Sequence, residues 1–284
     1  MAGRLTNAAC PRHAAMRGAR RVADLEYTVE NGVGTILLNR PEKKNAFTVE
    51  MVDRWSEVLV GARADDSVGA IVVTGAGDAF CAGGDFGGLS PDAEREPGPY
   101  ERKAFLTDHV HRVAYALEDL DKPVIAAVNG VAVGAGLDFA LMCDMRFMAR
   151  SARVSEGYIK VGLVPGDGGA YFLPRLVGTA KALELLLTGD FVDAEEALRI
   201  GMVNRVYDDE ELMVETREFA EKLAAGPPRI TRMIKRAVYQ SAGSDLRTSL
   251  DMISSHMAVV QSMQESHEAF NAFREKRAPE FEGR

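Results

Sequence analysis

Short apolar runs alternate with longer amphipathic stretches along the first 165 residues of the chain. Apolar runs of about five residues that are rich in β-branched side chains are typical of buried strands. They occur at residues 25–29, 33–38, 68–74, 124–128, 131–133 and 145–149, with shorter extended pieces at 153–158 and 161–164. Asn31-Gly32 predicts a hairpin turn between the first two runs. Helices are predicted at residues 49–64, 100–120, 137–143, 179–187, 194–200, 210–225, 230–241, 246–263 and 266–276.

Strand–strand–helix units followed by helices alone predict an α/β fold with a β-rich core and a helical C-terminal part. Gly226-Pro227-Pro228 separates the predicted core domain, residues 24–225, from the predicted helical region, residues 226–284. Residues 1–23 carry five arginines and no acidic residue. This composition is typical of an organelle targeting segment or a disordered tail, and Met16 offers a later start. We therefore place residues 1–23 outside the fold.

Charge and composition exclude several classes of function. The net charge of −8 and the lack of a basic stripe argue against a nucleic-acid partner. No apolar run approaches the roughly 18 residues that a membrane span needs. The three cysteines are odd in number and widely spaced, which predicts reduced thiols in a cytoplasmic protein. We find no metal-ligand spacing and no glycine-rich dinucleotide or nucleotide loop, so no metal site is predicted.

Two turns of small residues each follow an apolar strand. FCAGGD occupies residues 80–85, and Gly134-Ala135-Gly136 lies between strand 131–133 and the helix that carries Asp138. The first N–H groups of a helix have no partner within it, and the helix dipole adds partial positive charge there. Such a turn predicts a site for developing negative charge. The alternative is a packing contact of a buried helix, with Asp138 only stabilising the dipole.

Three segments together resemble the enoyl-CoA hydratase/isomerase (crotonase) superfamily. They are FCAGGD, NGVAVGAGLDFALMCD at 129–144 and VGLVPGDGGAYFLPRLVG at 161–178, in this order. The resemblance extends from about Leu25 to the C-terminus. It implies a crotonase-like spiral of ββα turns for the core and a helical C-terminal region used in assembly of a homotrimer or a dimer of trimers. It also implies an acyl-CoA substrate, with coenzyme A entering as part of the thioester and no separate cofactor.

The resemblance also assigns the groups that bind the substrate. It implies that the backbone amides of Gly84 and Ala135 form an oxyanion hole around the thioester oxygen. The residues implied to contact coenzyme A are Lys43, Lys44, Ala46, Ala82, Gly84, Phe273 and Lys276. An aromatic face suits adenine and a lysine suits phosphate. Solvated loop lysines at 43 and 44, and packing of a terminal amphipathic helix through Phe273, are the alternatives.

The acid–base residues depart from the pattern of the family hydratases, which use two glutamates. The first falls at Asp138, whose reach is shorter by one C–C bond, about 1.5 Å. The second falls at Tyr158, which with an ordinary pKa near 10 is a poor general base.

Two further acids lie near Tyr158 in the sequence. Glu156 would share a face with Tyr158 on an extended segment, or else lie at the surface or in a salt bridge. Asp167 follows Gly166, the position at which some family isomerases and dehalogenases carry an aspartate; its alternative is a helix N-cap. We predict that Asp138 is the main proton carrier, with Glu156 or Asp167 as the second acid.

The leading functional hypothesis is an enoyl-CoA hydratase, a lyase of fatty-acid or related acyl-CoA metabolism. The second is an isomerase, a hydrolase or a C–C lyase on the same scaffold, because Tyr158 replaces a glutamate. A third hypothesis, of another class, is a non-catalytic protein that binds CoA esters. His109 and His111 are predicted on a solvated helix face, with a catalytic role as the alternative.

Overall fold

The computed structural model of the chain describes residues 23–85 and 98–281, so the predicted tail lies outside the described residues except for residue 23. The strands are β1 (Leu25–Glu30), β2 (Val33–Leu38), β3 (Ala70–Gly75), β4 (Ala79–Cys81), β5 (Val124–Val128), β6 (Val131–Val133), β7 (Met145–Ala149), β8 (Arg153–Ser155), β9 (Val192–Asp193) and β10 (Arg205–Tyr207). The helices are α1 (Val49–Ala64), α2 (Pro99–Phe105), α3 (His111–Asp119), α4 (Ala135–Leu141), α5 (Gly169–Val177), α6 (Thr179–Thr188), α7 (Ala194–Arg199), α8 (Leu212–Ala224), α9 (Pro228–Ala242), α10 (Leu246–Gln261) and α11 (Gln264–Glu275).

The strands form two sheets, which the chain visits in turn. The larger sheet has the order β1-β2-β3-β5-β7-β10 and the smaller one β4-β6-β8-β9. The hairpin β1–β2 and the pair β8–β9 are antiparallel, and the other pairs are parallel. The strand pairs β3–β4, β5–β6 and β7–β8 each place one strand in each sheet before the chain continues to a helix. This alternation confirms the predicted ββα spiral.

The bounds of several elements agree with the sequence pattern. β2, β5, β6 and β7 coincide with the predicted runs, and Asn31 and Gly32 both have positive φ at the hairpin turn. The side chain of Thr48 caps α1 by accepting a hydrogen bond from the Met51 amide at 3.3 Å. The local sequence signals of strands and of a helix N-cap were therefore sufficient to predict the bounds of these elements.

Two predicted elements differ in the structure. Residues 153–158 are not extended throughout: β8 ends at Ser155, and a 3₁₀ helix, Gly157–Val161, follows. The helix predicted at 100–120 is divided by a π-helical turn, Leu106–Val110, between α2 and α3. β9 and β10 have only two and three residues, too few to show a periodic pattern.

Helix α4 packs deeply against the smaller sheet and against α1. Phe139 of α4 lies between Phe47 and Trp55, with ring centroids 5.1 and 4.7 Å away, and all three side chains are buried. The start of α4 lies against β4, where a Cβ added to Gly136 would be 2.0 Å from the carbonyl oxygen of Cys81. Only a residue without a side chain permits this approach.

The C-terminal helices extend from the core through α9. Lys235 and Tyr239 of α9 bind the carboxylate of Asp144 at 2.8 and 2.7 Å. Helix α10 packs mainly on α9 and leaves Leu246 and Leu250 exposed. Within residues 23–85 and 98–281, no helix combines the length and the apolar character that crossing a membrane requires. The predicted domain boundary at residue 226 stays a prediction.

A pair of glycine substitutions tests the contact between α4 and β4. Gly136→Ala should lower the free energy of unfolding by several kcal/mol, because the new methyl group overlaps the Cys81 carbonyl and α4 must move. Gly61→Ala is the matched control: Gly61 lies inside α1 with no atom near a Cβ, so it should stabilise by about 0.5–1 kcal/mol. Urea unfolding measures both, and an unchanged stability of Gly136→Ala would contradict the contact.

Candidate active site

The two small-residue turns lie side by side, because they follow the neighbouring parallel strands β4 and β6 of the smaller sheet. A Cβ added to Gly83, whose φ is +96°, would lie 3.1 Å from the Val133 carbonyl oxygen and 3.9 Å from the Ala135 nitrogen. Ala135 is the first residue of α4, so its N–H has no partner within the helix. In the described part of the chain, neither the Gly84 N–H nor the Ala135 N–H has a hydrogen-bond acceptor. The predicted oxyanion positions are thus close together, with both donors free.

Tyr158 lies directly beside these turns. The 3₁₀ helix turns its ring toward Gly134, where an added Cβ would lie 3.6 Å from the ring carbon Cζ. Its hydroxyl group lies 2.6 Å from Oδ2 of Asp138 and 2.8 Å from Oδ2 of Asp167. The side chain that replaces the second glutamate therefore connects two carboxyl groups.

The three predicted acids form one buried cluster with Tyr158. Asp138, in the first turn of α4, has no exposed surface, and Glu156 is only 1% exposed. A Cβ at Gly169 would lie 2.6 Å from Oδ1 of Asp138 and 2.8 Å from Oε2 of Glu156. Because Gly169 has no side chain, there is room for both carboxyl groups. The sequence contains the signal for this requirement, the glycine pair in PGDGG, but the role of Gly169 was not predicted.

Two of the alternative interpretations are wrong. Asp167 does not cap α5, because the N-cap residue is Gly168 and no side chain bonds there. Glu156 is neither at the surface nor in a salt bridge, since it is buried and neither carboxyl oxygen has a hydrogen-bond partner among the described residues. Both acids point into the cluster because the chain leaves β8 in a 3₁₀ turn rather than in an extended segment.

The cluster cannot be fully ionised. The Tyr158 hydroxyl has one proton, so it can donate to only one of its two carboxyl neighbours. At 2.6 and 2.8 Å, the second contact is a hydrogen bond only if that carboxyl group is protonated and donates to the phenol oxygen. The geometry therefore describes a shared proton that can lie on either side of Tyr158.

Burial shifts the acidities in the same direction. Burial raises the pKa of Asp138 to about 7, while the hydrogen bond from Tyr158 opposes the shift. Burial, followed by the charge of Asp138, raises the pKa of Glu156 to about 10. Burial also raises the pKa of Asp167 and that of the Tyr158 hydroxyl. Both shifts favour the protonated form of these two carboxyl groups near neutral pH. Despite the three carboxyl groups, no cluster of His, Cys, Asp or Glu in residues 23–85 and 98–281 is arranged to hold a metal ion.

The histidines of the neighbouring helix are not fully solvated. His109 lies 3.0 Å from the carboxylate of Asp53, and Nε2 of His111 lies 2.8 Å from the Gly166 carbonyl oxygen. His111 thus contacts the loop that carries Asp167. Both imidazoles are half-buried, each with one side toward its partner, and a catalytic role for either stays an alternative.

The residues predicted to bind coenzyme A fall into two groups. Ala82 donates its N–H to the Lys44 carbonyl oxygen at 2.9 Å, which places the loop of Lys43, Lys44 and Ala46 beside the Gly84 turn. Lys43 is exposed, and Lys44 forms an ion pair with Asp78. Phe273 and Lys276 lie at the end of α11, which packs mainly against α9 and α10. The assignment of these residues to coenzyme A stays a prediction.

The acid cluster predicts a stability that falls as the pH rises. The pKa values of Asp138 and Glu156 are raised from 3.8 and 4.5, so the folded chain binds more protons than the unfolded chain above pH 4. The free energy of unfolding should fall through pH 7 and on toward pH 10. Asp138→Asn should make the fall of the unfolding free energy between pH 4 and 7 less steep, by up to about 1.4 kcal/mol per pH unit. Asp190→Asn, which removes an exposed carboxyl group, should leave the slope unchanged in urea unfolding. An unchanged slope in Asp138→Asn would contradict the shared-proton cluster.

Comparison with known proteins agrees with the fold. The sequence model described as enoyl-CoA hydratase/isomerase matches residues 28–284. The chain is 38% identical over 259 residues to 1,2-epoxyphenylacetyl-CoA isomerase of Escherichia coli, covering 90% of this chain and 97% of that protein. It is 35% identical over 260 residues to (E)-benzylidenesuccinyl-CoA hydratase of Thauera aromatica, with coverage of 90% and 97%.

Solved structures give the same result. The crystal structure of an enoyl-CoA hydratase from Bacillus anthracis superimposes with a TM-score of 0.86 at 30% identity, covering 92% of this chain and 100% of that one. The resemblance in the three sequence segments is thereby confirmed. The chain belongs to the enoyl-CoA hydratase/isomerase family.

Proposed function

We propose that the chain is an acid–base enzyme that adds water to a 2-enoyl-CoA, in fatty-acid or related acyl-CoA metabolism. The observation that carries the proposal is the Tyr158 hydroxyl group, held between Asp138 and Asp167 beside the free amide of Ala135. Donors for a thioester oxygen and a proton source for the adjacent carbon thus lie next to each other.

The two free amides supply the electrostatic part of the catalysis. Adding hydroxide to Cβ of a conjugated thioester moves negative charge onto the thioester oxygen. Backbone donors fixed in advance stabilise this charge, and one such donor is typically worth about 2.7–4 kcal/mol in the transition state. The Gly84 and Ala135 amides suit this role because they need no rearrangement to meet the charge.

The acid cluster supplies the proton transfers. Asp167, which is 7% exposed, takes a proton from the attacking water, and the hydroxide oxygen bonds to Cβ. Tyr158 gives its proton to Cα and in the same step receives one from protonated Asp138, so no phenolate forms. Afterwards Asp167 holds the proton taken from water and Asp138 is ionised. Tyr158 then passes its proton to Asp138 and receives the one on Asp167, which restores the starting state. Asp138 then acts through Tyr158, because its carboxyl group is fully buried.

Double-bond isomerisation is the second candidate. In this reaction the Tyr158 oxygen takes a proton from one carbon of the acyl chain while its own proton moves to an ionised Asp138 or Asp167. The reverse transfer from that acid through Tyr158 delivers a proton to another carbon. The observation that favours it is the absence of the family glutamate at Tyr158. The relative at 38% identity that is named an isomerase acts, by that name, on an epoxide and does not bear on movement of a double bond.

The direct experiment follows absorbance and mass with crotonyl-CoA and with a 3-enoyl-CoA. Hydration removes the conjugated absorbance of crotonyl-CoA and gives a product heavier by one water. Formation of conjugated absorbance from the 3-enoyl-CoA, without hydration, would support the isomerase instead. Binding of acyl-CoA esters without any product would contradict both and favour a non-catalytic binding protein.

Removing the hydroxyl group of Tyr158 tests the relay. Tyr158→Phe and Asp138→Asn should each lower kcat by about 10²–10⁴-fold, the usual contribution of a positioned acid or base, with little change in KM. Tyr171→Phe is the matched control, since Tyr171 lies on α5 with more than half of its surface exposed. Steady-state kinetics measure kcat and KM of the three variants. Near-normal turnover in Tyr158→Phe would show that the Tyr158 hydroxyl group takes no part in the mechanism.

We also propose that the chain assembles as a homotrimer or a dimer of trimers. Leu246 on α10 is 71% exposed and Phe273 on α11 is 83% exposed, which is unfavourable for apolar side chains unless another chain covers them. An adjacent subunit would also offer its Phe273 and Lys276 to the coenzyme A of its neighbour. Sedimentation velocity should give three or six chains per particle, and a stable monomer at micromolar concentration would contradict the assembly.

A further inference from the structure

We propose that Arg40 is a positioning residue that orients and polarises the Gly84 N–H through a chain of hydrogen-bonded peptide groups. The inference rests on the proposed oxyanion hole and adds a residue outside it. Arg40 follows β2 and contacts the turn that carries Gly84 in two ways, through the segment 44–47 and through the side chain of Asp85.

The chain of hydrogen bonds can be followed atom by atom. The guanidinium group of Arg40 donates to the Ala46 carbonyl oxygen at 2.6 Å. The N–H of the same peptide group belongs to Phe47 and donates to the Gly83 carbonyl oxygen at 2.9 Å. The N–H of that second peptide group is the Gly84 N–H. Two peptide groups therefore connect a fixed positive charge to the proposed oxyanion donor.

Peptide planarity makes this chain directional. In a trans peptide the N–H points away from the C=O across a rigid plane. Holding the Gly83 carbonyl toward Phe47 therefore directs the Gly84 N–H to the opposite side, away from Phe47. The Asp85 N–H, which donates to the Phe47 carbonyl oxygen at 2.9 Å, holds the other flank of Gly84.

The hydrogen bond from Arg40, whose charge is paired with Asp24 and Asp85, also strengthens the terminal donor. Hydrogen bonds in a chain polarise one another by about 10–30% per bond, and the effect is greater where the local dielectric is low. The cation lies at the carbonyl end of the first peptide, so each N–H along the chain becomes more positive. Gly84 then presents a stronger donor to a developing oxyanion than an isolated amide would.

Both the side chain and the backbone of Arg40 are fixed by hydrogen bonds. Its second guanidinium nitrogen binds the Asp85 carboxylate at 2.9 Å, with side chains only 13% and 18% exposed. Its backbone N–H donates to the side chain of Asn45 at 2.9 Å, and buried Asn45 in turn binds the Ala79 carbonyl oxygen at 2.7 Å. The base of the segment 44–47 is thereby rigid, which a positioning role requires.

The test compares binding of an enolate with binding of a neutral thioester. Acetoacetyl-CoA forms an enolate with a near-ultraviolet absorbance, whereas butyryl-CoA remains neutral. The wild type should bind the enolate in preference to butyryl-CoA. Arg40→Met should reduce this preference by at least about tenfold and kcat by about 10²-fold, the scale of a small misplacement at the reacting centre, with little effect on butyryl-CoA affinity or KM.

Two variants keep the test valid if Arg40→Met folds poorly. Arg40→Lys retains the charge but not the planar fork, so it should lie between wild type and Arg40→Met. Asp85→Asn retains a hydrogen-bond acceptor for Arg40 and should lose less than Arg40→Met. Lys122→Met is the matched control for stability. Lys122 is buried and donates to the carbonyl oxygens of Ala62 and Asp65. It precedes β5 and so lies at the opposite end of that strand from the site.

The outcomes separate this inference from the proposed function. An undiminished enolate preference in Arg40→Met or Arg40→Lys, with the wild type showing that preference, overturns the role of Arg40 and leaves the oxyanion hole intact. A wild type that binds both ligands equally well overturns the oxyanion hole itself, and the role of Arg40 with it. Loss of the preference in Lys122→Met as well would mean that general destabilisation, not orientation of Gly84, is the cause.

Discussion

The close approach of α4 to β4 is the contact on which the rest of the site depends. Gly136 touches the Cys81 carbonyl, and Gly83 faces the Ala135 nitrogen across the same gap. No side chain fits between these segments, so the start of a helix and the end of a strand meet backbone to backbone. Two N–H groups from parts of the chain some fifty residues apart are thereby left unpaired beside each other. Phe139, packed between Phe47 and Trp55, holds the helix in this position.

The acid cluster beside this contact is costly for the folded state. Burying carboxyl groups without hydrogen-bond partners disfavours their charged forms and raises their pKa values. Tyr158 limits the cost by bridging Asp138 and Asp167, and the missing side chain at Gly169 leaves space for Glu156. A site that holds protons near neutral pH is the chemical consequence of this arrangement. An acid or base whose pKa lies near the working pH is best suited to transfer a proton in catalysis.

Much of the fold could be predicted because its signals are local. The valine-rich runs of β5 and β7, and the cap at Thr48, are visible in the sequence itself. The composition of the acid cluster was partly predicted, since Asp138, Glu156, Tyr158 and Asp167 were all named. Their mutual contacts could not be predicted, because the 3₁₀ turn after β8 sets the direction of each side chain. The peptide chain from Arg40 to Gly84 was also missed, since carbonyl orientation leaves no mark on a sequence pattern.

A crystal structure with acetoacetyl-CoA bound would show whether the two amides share one thioester oxygen. We expect that oxygen about 2.7–3.1 Å from both the Gly84 and the Ala135 nitrogen atoms, the range of an oxyanion donor. We also expect the Tyr158 hydroxyl group to be the protein group nearest the carbon next to the thioester. A thioester oxygen bound by neither amide, or an acyl group in a cavity away from Tyr158, would rule out the shared oxyanion hole and the role of Tyr158.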